Sequence, residues 1–393
     1  MGTGFYAIFA VVLSVYGLIN YYIGSHIWNW LKALGLSPNM RFFFWGLLTF
    51  IASSFLLSHF AKAFLPVVVI DGLALIGSYW LAAMLYFTLT LLVFDLLRLW
   101  QRWVGLLPSA WVERPDAGVI AGAVIGAIVL TILSYGIWNA RHPVANSYDL
   151  QINKSAPGLK EAHVVMLSDI HLGTIIHSDR LAEMVAQVNA LQPDLILLAG
   201  DTLDSDIGPF IDQDMASIMK KLRANWGVYA ITGNHEYIGG HGFDFVQALE
   251  GVGIAVLQDR AVKIQDAFYV IGRMDRASER FTGEKRKDME ALLADVDRSL
   301  PMILLDHQPF QLEQPEQAGI DLQLSGHTHR GQMFPFHWIT GSMYEVDAGY
   351  LRKNALQVIV STGYGTWGPP LRIGNRPEIV SVKLHFTGGD QRD

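Results

Sequence analysis

The sequence predicts an α/β unit with mixed sheets, preceded by an all-helical membrane region. Three observations predict it. Apolar runs long enough to cross a bilayer crowd the first part of the chain. Beyond them, short strand-like blocks alternate with helix-like segments, and many short strands among helices favour mixed sheets over one long parallel sheet. Five of those blocks stop abruptly in polar residues able to carry chemistry. A length of 393 residues suits two domains, and the 51% hydrophobic content is high for a soluble chain. A net charge of -7 without a basic block carries no nucleic-acid-binding signal. The chain has no cysteine, which excludes disulfides and thiolate ligands, so any metal must take nitrogen and oxygen donors.

Four helices are expected over 1–140, at 4–24, 42–59, 67–94 and 118–138. The first, Gly4 to Ile23, is uncharged and meets the roughly 20 residues a span needs. A cleaved leader is the rival reading, but a basic n-region is lacking and further spans follow. Gly118, Gly122 and Gly126 share a helix face, which either admits a close neighbour or has no special packing. Trp28, Trp30, Trp45, Trp100, Trp103 and Trp111 stand near span ends, as interfacial aromatics do. Four spans leave both ends on one side. Lys32 and Arg41, then Arg98, Arg102 and Arg114, mark the two longer connections; Lys62, Arg141 and Lys154 mark the other side. The positive-inside rule therefore expects an integral protein of a bacterial-type inner or plasma membrane, with the C-terminal part extracytoplasmic. Asp71 and Asp95, near span ends, give thin support for a transport path.

Residues 141–160 read as a polar connector with a first strand at Tyr148 to Ile152, and 161–393 as the α/β unit. Helices are expected at Ser178 to Leu191, with Ser178 as N-cap and Leu181, Met184, Val185 and Val188 at helical spacing, and at Pro209–Leu222, Phe243–Leu249 and Asp288–Val296. Strands are expected at Ala255–Leu257, Phe268–Gly272, Gln357–Val360 and Ile379–Phe386.

The five polar-ended blocks concentrate the chemistry. Val164 to Leu167 runs into Ser168-Asp169-Ile170-His171, and Leu195 to Ala199 into Gly200-Asp201. Val228 to Ile231 is followed by Thr232-Gly233-Asn234-His235-Glu236, Met302 to Leu305 by Asp306-His307, and Leu322 to Leu324 by Ser325-Gly326-His327-Thr328-His329. Carboxyl ends of strands are where α/β sheets collect ligands. Asp169, His171, Asp201, Asn234, His235, His307, His327 and His329 suit divalent cations and outnumber what one ion needs. A bridging carboxylate such as Asp201 can hold a pair of ions, which clamp a phosphoryl group.

In that order, Asp-x-His, Gly-Asp, Gly-Asn-His-Glu, a lone His after an apolar strand, and Gly-His-x-His resemble the calcineurin-like metallophosphoesterase superfamily. The resemblance covers about Ala162 to Phe386. Gly326 to Gln332 and Gly365 to Arg372 resemble its membrane-associated branch, which includes a cell-wall-associated phosphoesterase and a UDP-diacylglucosamine pyrophosphatase. The resemblance implies a four-layer α/β/β/α sandwich and two divalent ions, of manganese, zinc, iron or magnesium. It implies that Asp169, His171, Asp201 and His329 hold the first ion, that Asp201 bridges, and that Asn234, His307 and His327 complete the second. It also implies His235 as general acid or transition-state stabiliser and a metal-bridging hydroxide as nucleophile. The substrate would be a phosphodiester, phosphomonoester or pyrophosphate, amphiphilic or envelope-derived if membrane attachment decides it; a soluble nucleotide is the enzymatic rival. A non-catalytic metal-binding scaffold or sensor on a membrane anchor is the alternative from another class, which missing ligands would favour.

Arg330 departs from the glycine expected after the Gly-His-Thr-His motif and could place a positive group near substrate. Trp367 is either a wall of the site or a packed turn, and Arg372 either binds phosphate or is a solvated charge. Asp306 either orients His307 or caps a helix. Glu236 lies behind the site or on the surface. His163, His177, His241, His337 and His385 read as ordinary.

Overall fold

The computed structural model describes residues 3–61, 64–105, 108 and 114–387; Lys62 and Trp111 lie outside them. By contact the chain divides into two units, Met1–Ile137 with Gly368–Pro370, and Trp138–Trp367 with Leu371–Asp393.

The first unit is helical: α1 (Thr3–Ala33), α2 (Arg41–Phe60), α3 (Val67–Val104) and α4 (Ala117–Ala140). All four are long and apolar enough to cross a membrane. Two, α1 and α3, run well past the bounds that hydropathy marks, because polar residues at the ends keep helical backbone. At about 1.5 Å per residue α3 is about 57 Å long, nearly twice the hydrocarbon thickness of about 30 Å. Its surplus is the polar end that carries Asp95, Arg98 and Arg102. Tyr22 Oη donates to Asp95 at 2.7 Å and His26 Nε2 lies 3.4 Å from it, so this acid is partnered between helices. Of the three aligned glycines, Gly122 is the one at a close approach: a Cβ there would lie 2.0 Å from the Trp30 ring, whereas Gly118 and Gly126 face open space. Trp30 Nε1 donates to Val119 O at 2.9 Å. Trp28 is buried against Phe44. These two tryptophans pack helices rather than line an interface.

The second unit holds two six-stranded sheets. The first orders its strands β1-β12-β2-β3-β4-β5, with β1 (Val144–Ile152), β2 (Glu161–Leu167), β3 (Leu195–Ala199), β4 (Val228–Ile231), β5 (Ala255–Val256) and β12 (Glu378–Phe386). The second orders them β10-β11-β9-β8-β7-β6, with β6 (Arg260–Ile264), β7 (Phe268–Gly272), β8 (Met302–Leu305), β9 (Leu322–Ser325), β10 (Gly349–Lys353) and β11 (Leu356–Val360). β2 to β5 run parallel and so do β7, β8, β9 and β11, while β12 meets β2 antiparallel and β6 and β10 are antiparallel edges. The apolar blocks Val164 to Leu167 and Leu195 to Ala199 are buried throughout because both faces of their sheet are covered. Met166, Leu197, Ile303 and Leu324 pack between the sheets. α5 (Ser178–Ala190) buries Leu181, Met184, Val185 and Val188 on the outside of the first sheet; Met289, Leu292 and Leu293 cover the second. The layers are α/β/β/α, the arrangement the resemblance implies.

Several local expectations are corrected. His177, not Ser178, is the N-cap of α5; the Ser178 backbone N–H instead meets Gln213 Oε1. The helix expected over Pro209–Leu222 is two short ones, Gly208–Asp212 and Met215–Met219, broken at Asp214 with φ 47°. The Asp288–Val296 helix shrinks to Met289–Leu292, capped by Asp288.

Candidate metal centre

The site lies where β2, β3 and β4 of one sheet and β8 and β9 of the other end. Backbone bonds stitch these ends together: Asp169 N–H donates to Gly200 O, His171 N–H to Asp201 O, and Gly326 N–H to His307 O. Two glycines are demanded by proximity. A Cβ on Gly233 would lie 2.2 Å from Asp201 Oδ1, and one on Gly326 2.2 Å from Asp169 Oδ2. The backbone turns hard around the donors, with φ between 46° and 72° at Asp169, His171, Asp201, His327 and His329. Such left-handed backbone costs about 1–3 kcal/mol at a non-glycine residue and collects at functional sites.

Six of the eight expected donors converge in two groups. Asp169, His171 and His329 each offer an atom within 4.8 Å of the others, and so do Asp201, His307 and His327. His171 Nε2 and His329 Nε2 face each other at 3.0 Å, and His329 Nε2 stands 3.4 Å from Asp169 Oδ1. His307 Nε2 lies 3.0 Å from Asp201 Oδ2. The Asn234 Oδ1 atom is buried without a hydrogen-bond partner among the described residues. Lone pairs aimed at one another in a dry pocket are costly unless a cation sits between them, so the donor set fits divalent metals.

Neighbouring groups orient the rings. Ala199 O lies 2.8 Å from His307 Nδ1, which leaves Nε2 of that ring turned toward Asp201. Asp169 accepts the His327 N–H on both oxygens, and Asp201 Oδ1 accepts the His235 N–H at 2.8 Å. Burial would raise Asp201, but His307 beside it holds its carboxyl well below the usual range. Burial and the His307 charge push His327 down to about 3, and burial with His171 and Arg372 holds His329 well below its ordinary value. Both rings are thus neutral, the form that binds metal.

His235 lies beside these groups. Its Nδ1 is 2.9 Å from Ser205 Oγ and 3.8 Å from Asp204 Oδ1, and its ring centroid is 4.7 Å from that of His171. Burial holds its pKa down. Trp367 is 59% exposed and sets its ring 6.0 Å from that of His235. Arg330 is exposed.

Arg372 corrects both of its expectations. It is fully buried, and its donors are spent on Thr362 O, Gly363 O, Gly365 O and Asn375 Oδ1, with His329 Nδ1 3.1 Å from Nη2. It therefore shapes the loop behind His329 and has no donor left for phosphate. Asp306 neither orients His307 nor caps a helix; Arg273 and Arg286 hold it at 3.1 and 3.2 Å. Glu236 lies behind the site: its carboxylate accepts the N–H groups of Gly233, Leu203 and Asp201 at 2.6, 2.8 and 3.2 Å, and burial pushes it up to about 7. The sequence reading missed Asp204 and Ser205. Asp204 Oδ1 sits 3.3 Å from His171 Nδ1 and forms a third donor group with His171 and His235. Its signal was a second acid three residues after Asp201.

The profile of the calcineurin-like phosphoesterase family matches residues 162–331. A Danio rerio protein described as a transmembrane protein with metallophosphoesterase domain is 30% identical over 285 residues, 69% of this chain and 64% of its own length. A Campylobacter jejuni protein described as an uncharacterized metallophosphoesterase is 29% identical over 387 residues, 95% of this chain and 97% of its own. One from Aquifex aeolicus, described likewise, is 32% identical over 246 residues, 61% of this chain and 91% of its own. The chain spans less than two thirds of the length of the vertebrate relatives it matches.

Proposed function

The chain belongs to the calcineurin-like phosphoesterase family, and from that premise we propose that it is a membrane-held hydrolase of phosphoester bonds with a dinuclear metal centre. The observation that carries this reading is the pair of donor groups, Asp169/His171/His329 and Asp201/His307/His327, side by side at the sheet ends. Asp169, His171 and His329 would hold one ion, His307 and His327 with Asn234 the other, and Asp201 both. When bound, two such ions supply Lewis acidity that lowers the pKa of water and neutralises charge on a phosphoryl group. The residues do the rest. Asp204 and Ala199 O hold His171 and His307 by Nδ1 and turn Nε2 into the site. Ser205 holds His235 Nδ1, which leaves Nε2 to face a leaving-group oxygen as it gains charge, a task an imidazole can meet near neutral pH. Trp367 beside it excludes water and offers an apolar contact.

The substrate is a phosphodiester, phosphomonoester or pyrophosphate, and the attachment to four membrane-spanning helices favours an amphiphilic, envelope-derived one. By the basic residues of its longer connections the unit is extracytoplasmic in a bacterial-type membrane. The test strips the full detergent-solubilised chain of metal and restores manganese, zinc, iron or magnesium separately. It then assays bis-para-nitrophenyl phosphate, the monoester and a lipid-linked pyrophosphate. Metal-dependent turnover that D201N abolishes supports the reading. Absence of turnover with two ions bound per chain would replace it with a scaffold.

A further inference from the structure

A second surface adjoins the metal centre. Beyond His329 the chain forms the short helix α6 (His337–Met343), none of whose residues is buried. Trp338, Ile339 and Met343 are 65%, 55% and 56% exposed, and Phe334 and Phe336 stand out beside them. Phe334 and Trp338 meet edge to face at 5.3 Å, so the apolar groups form one patch. This projection is rigid. Asp347 accepts Thr340 Oγ1 through its carboxylate and Thr328 Oγ1 through its carbonyl, tying the helix to the loop that carries His327 and His329. Gln332 exchanges two hydrogen bonds with the Trp367 backbone, which ties that exposed indole, next to His235, to the segment leading into the patch.

Exposed apolar groups held out on a rigid support mark an interaction surface. Their occupant is indicated by charge and by tether. Between 330 and 344 there is no acid, and the segment carries the exposed Arg330; 361–377 has no acid either. Tryptophan and phenylalanine beside a cation are the chemistry of a lipid headgroup layer, and the two acids that follow α6 are partnered, Glu345 by Lys353 and Asp347 by Thr340. Three residues, 141–143, separate the last apolar helix from β1, so the chain allows the second unit little reach from a membrane that holds that helix. We propose that α6, with Phe334, Phe336 and Trp367, docks on the lipid surface and opens the metal centre at the lipid–water boundary. A corollary, which rests on the catalytic reading, is that the scissile phosphoester is borne by a lipid whose head reaches the site from the headgroup layer.

The chain's lack of cysteine makes the test direct. I339C and E183C, the latter on the exposed side of α5, each receive one environment-sensitive thiol fluorophore in the full chain. The chain is placed at one copy per nanodisc of phosphatidylcholine with phosphatidylglycerol, and spin-labelled lipid is the quencher. Quenching about five times stronger at 339 than at 183 is expected for an interfacial helix. Equal quenching at the two positions overturns the docking. Shielding at 339 that needs two copies per disc and resists the quencher assigns the patch to a second copy of the chain and also overturns it. Turnover tests the corollary: W338S/I339S should lose about tenfold on a vesicle-borne phosphoester relative to the soluble diester. An equal change on both substrates, with quenching intact, refutes the corollary and leaves the docking standing.

Discussion

Replacing Glu236 by alanine removes a carboxylate that holds three backbone N–H groups at the bottom of the metal centre. The three bonds, at 2.6, 2.8 and 3.2 Å, fix Gly233, Leu203 and Asp201. With the residue 1% exposed, water does not readily replace them. Each lost bond that leaves a buried donor unpaired costs at least about 1 kcal/mol, so the variant should lose about 3 kcal/mol. For a unit of this size that lowers the melting temperature by roughly 6–12 °C. The assay is thermal unfolding of the full chain in detergent with chelator present, so that metal binding does not mask the change. E236Q keeps one acceptor oxygen but turns an amide N–H2 toward donors, and should fall between the two. Metal affinity should drop as well, because Asp201 takes its place from this loop. An E236A melting temperature within about 1 °C of wild type would refute the reasoning, since it would mean that the three N–H groups find other partners at no cost.

Other perturbations separate the roles of neighbouring residues. H235A should keep both metals yet slow turnover by about 10²–10⁴-fold, least for substrates with good leaving groups; equal losses for good and poor leaving groups would count against the acid role. G326A forces a methyl into the space 2.2 Å from Asp169 Oδ2, so it should release metal from the Asp169 group, as read by bound metal after dialysis. R372K cannot reproduce the fork of bonds to Thr362, Gly363, Gly365 and Asn375, and should destabilise the unit by about 2–4 kcal/mol without changing substrate preference. A changed preference would restore Arg372 as a substrate contact.

The strands that carry the site were legible because each is a short apolar block buried on both faces, and an abrupt polar end is a local signal. β6 and β10 were not. They are edge strands, with Arg260 and Lys263 in one and Arg352 and Lys353 in the other, and their half-exposed pattern resembles a loop. The helix expected over Pro209–Leu222 had the right periodicity, but Asp214 in left-handed backbone splits it. The six residues of the two candidate donor groups could be read from motif order. Partners such as Asp204 for His171, Ala199 O for His307 and Arg372 behind His329 arise from contacts between distant segments, and spacing holds no trace of them. Glu236 was ambiguous for the same reason: a glutamate at the start of a short helix is as readily solvated as buried until the loop folded over it is known.

The proposed two-ion centre rests on two neighbouring donor groups, with Asp201 of the second serving both ions. Its most direct measurement is the number of metal ions retained per full-length chain after dialysis, by elemental mass spectrometry, in wild type and D201N. Two ions are expected in wild type and fewer in D201N, because the carboxylate proposed to serve both ions loses its charge. One ion in wild type, or two retained in D201N, would contradict it.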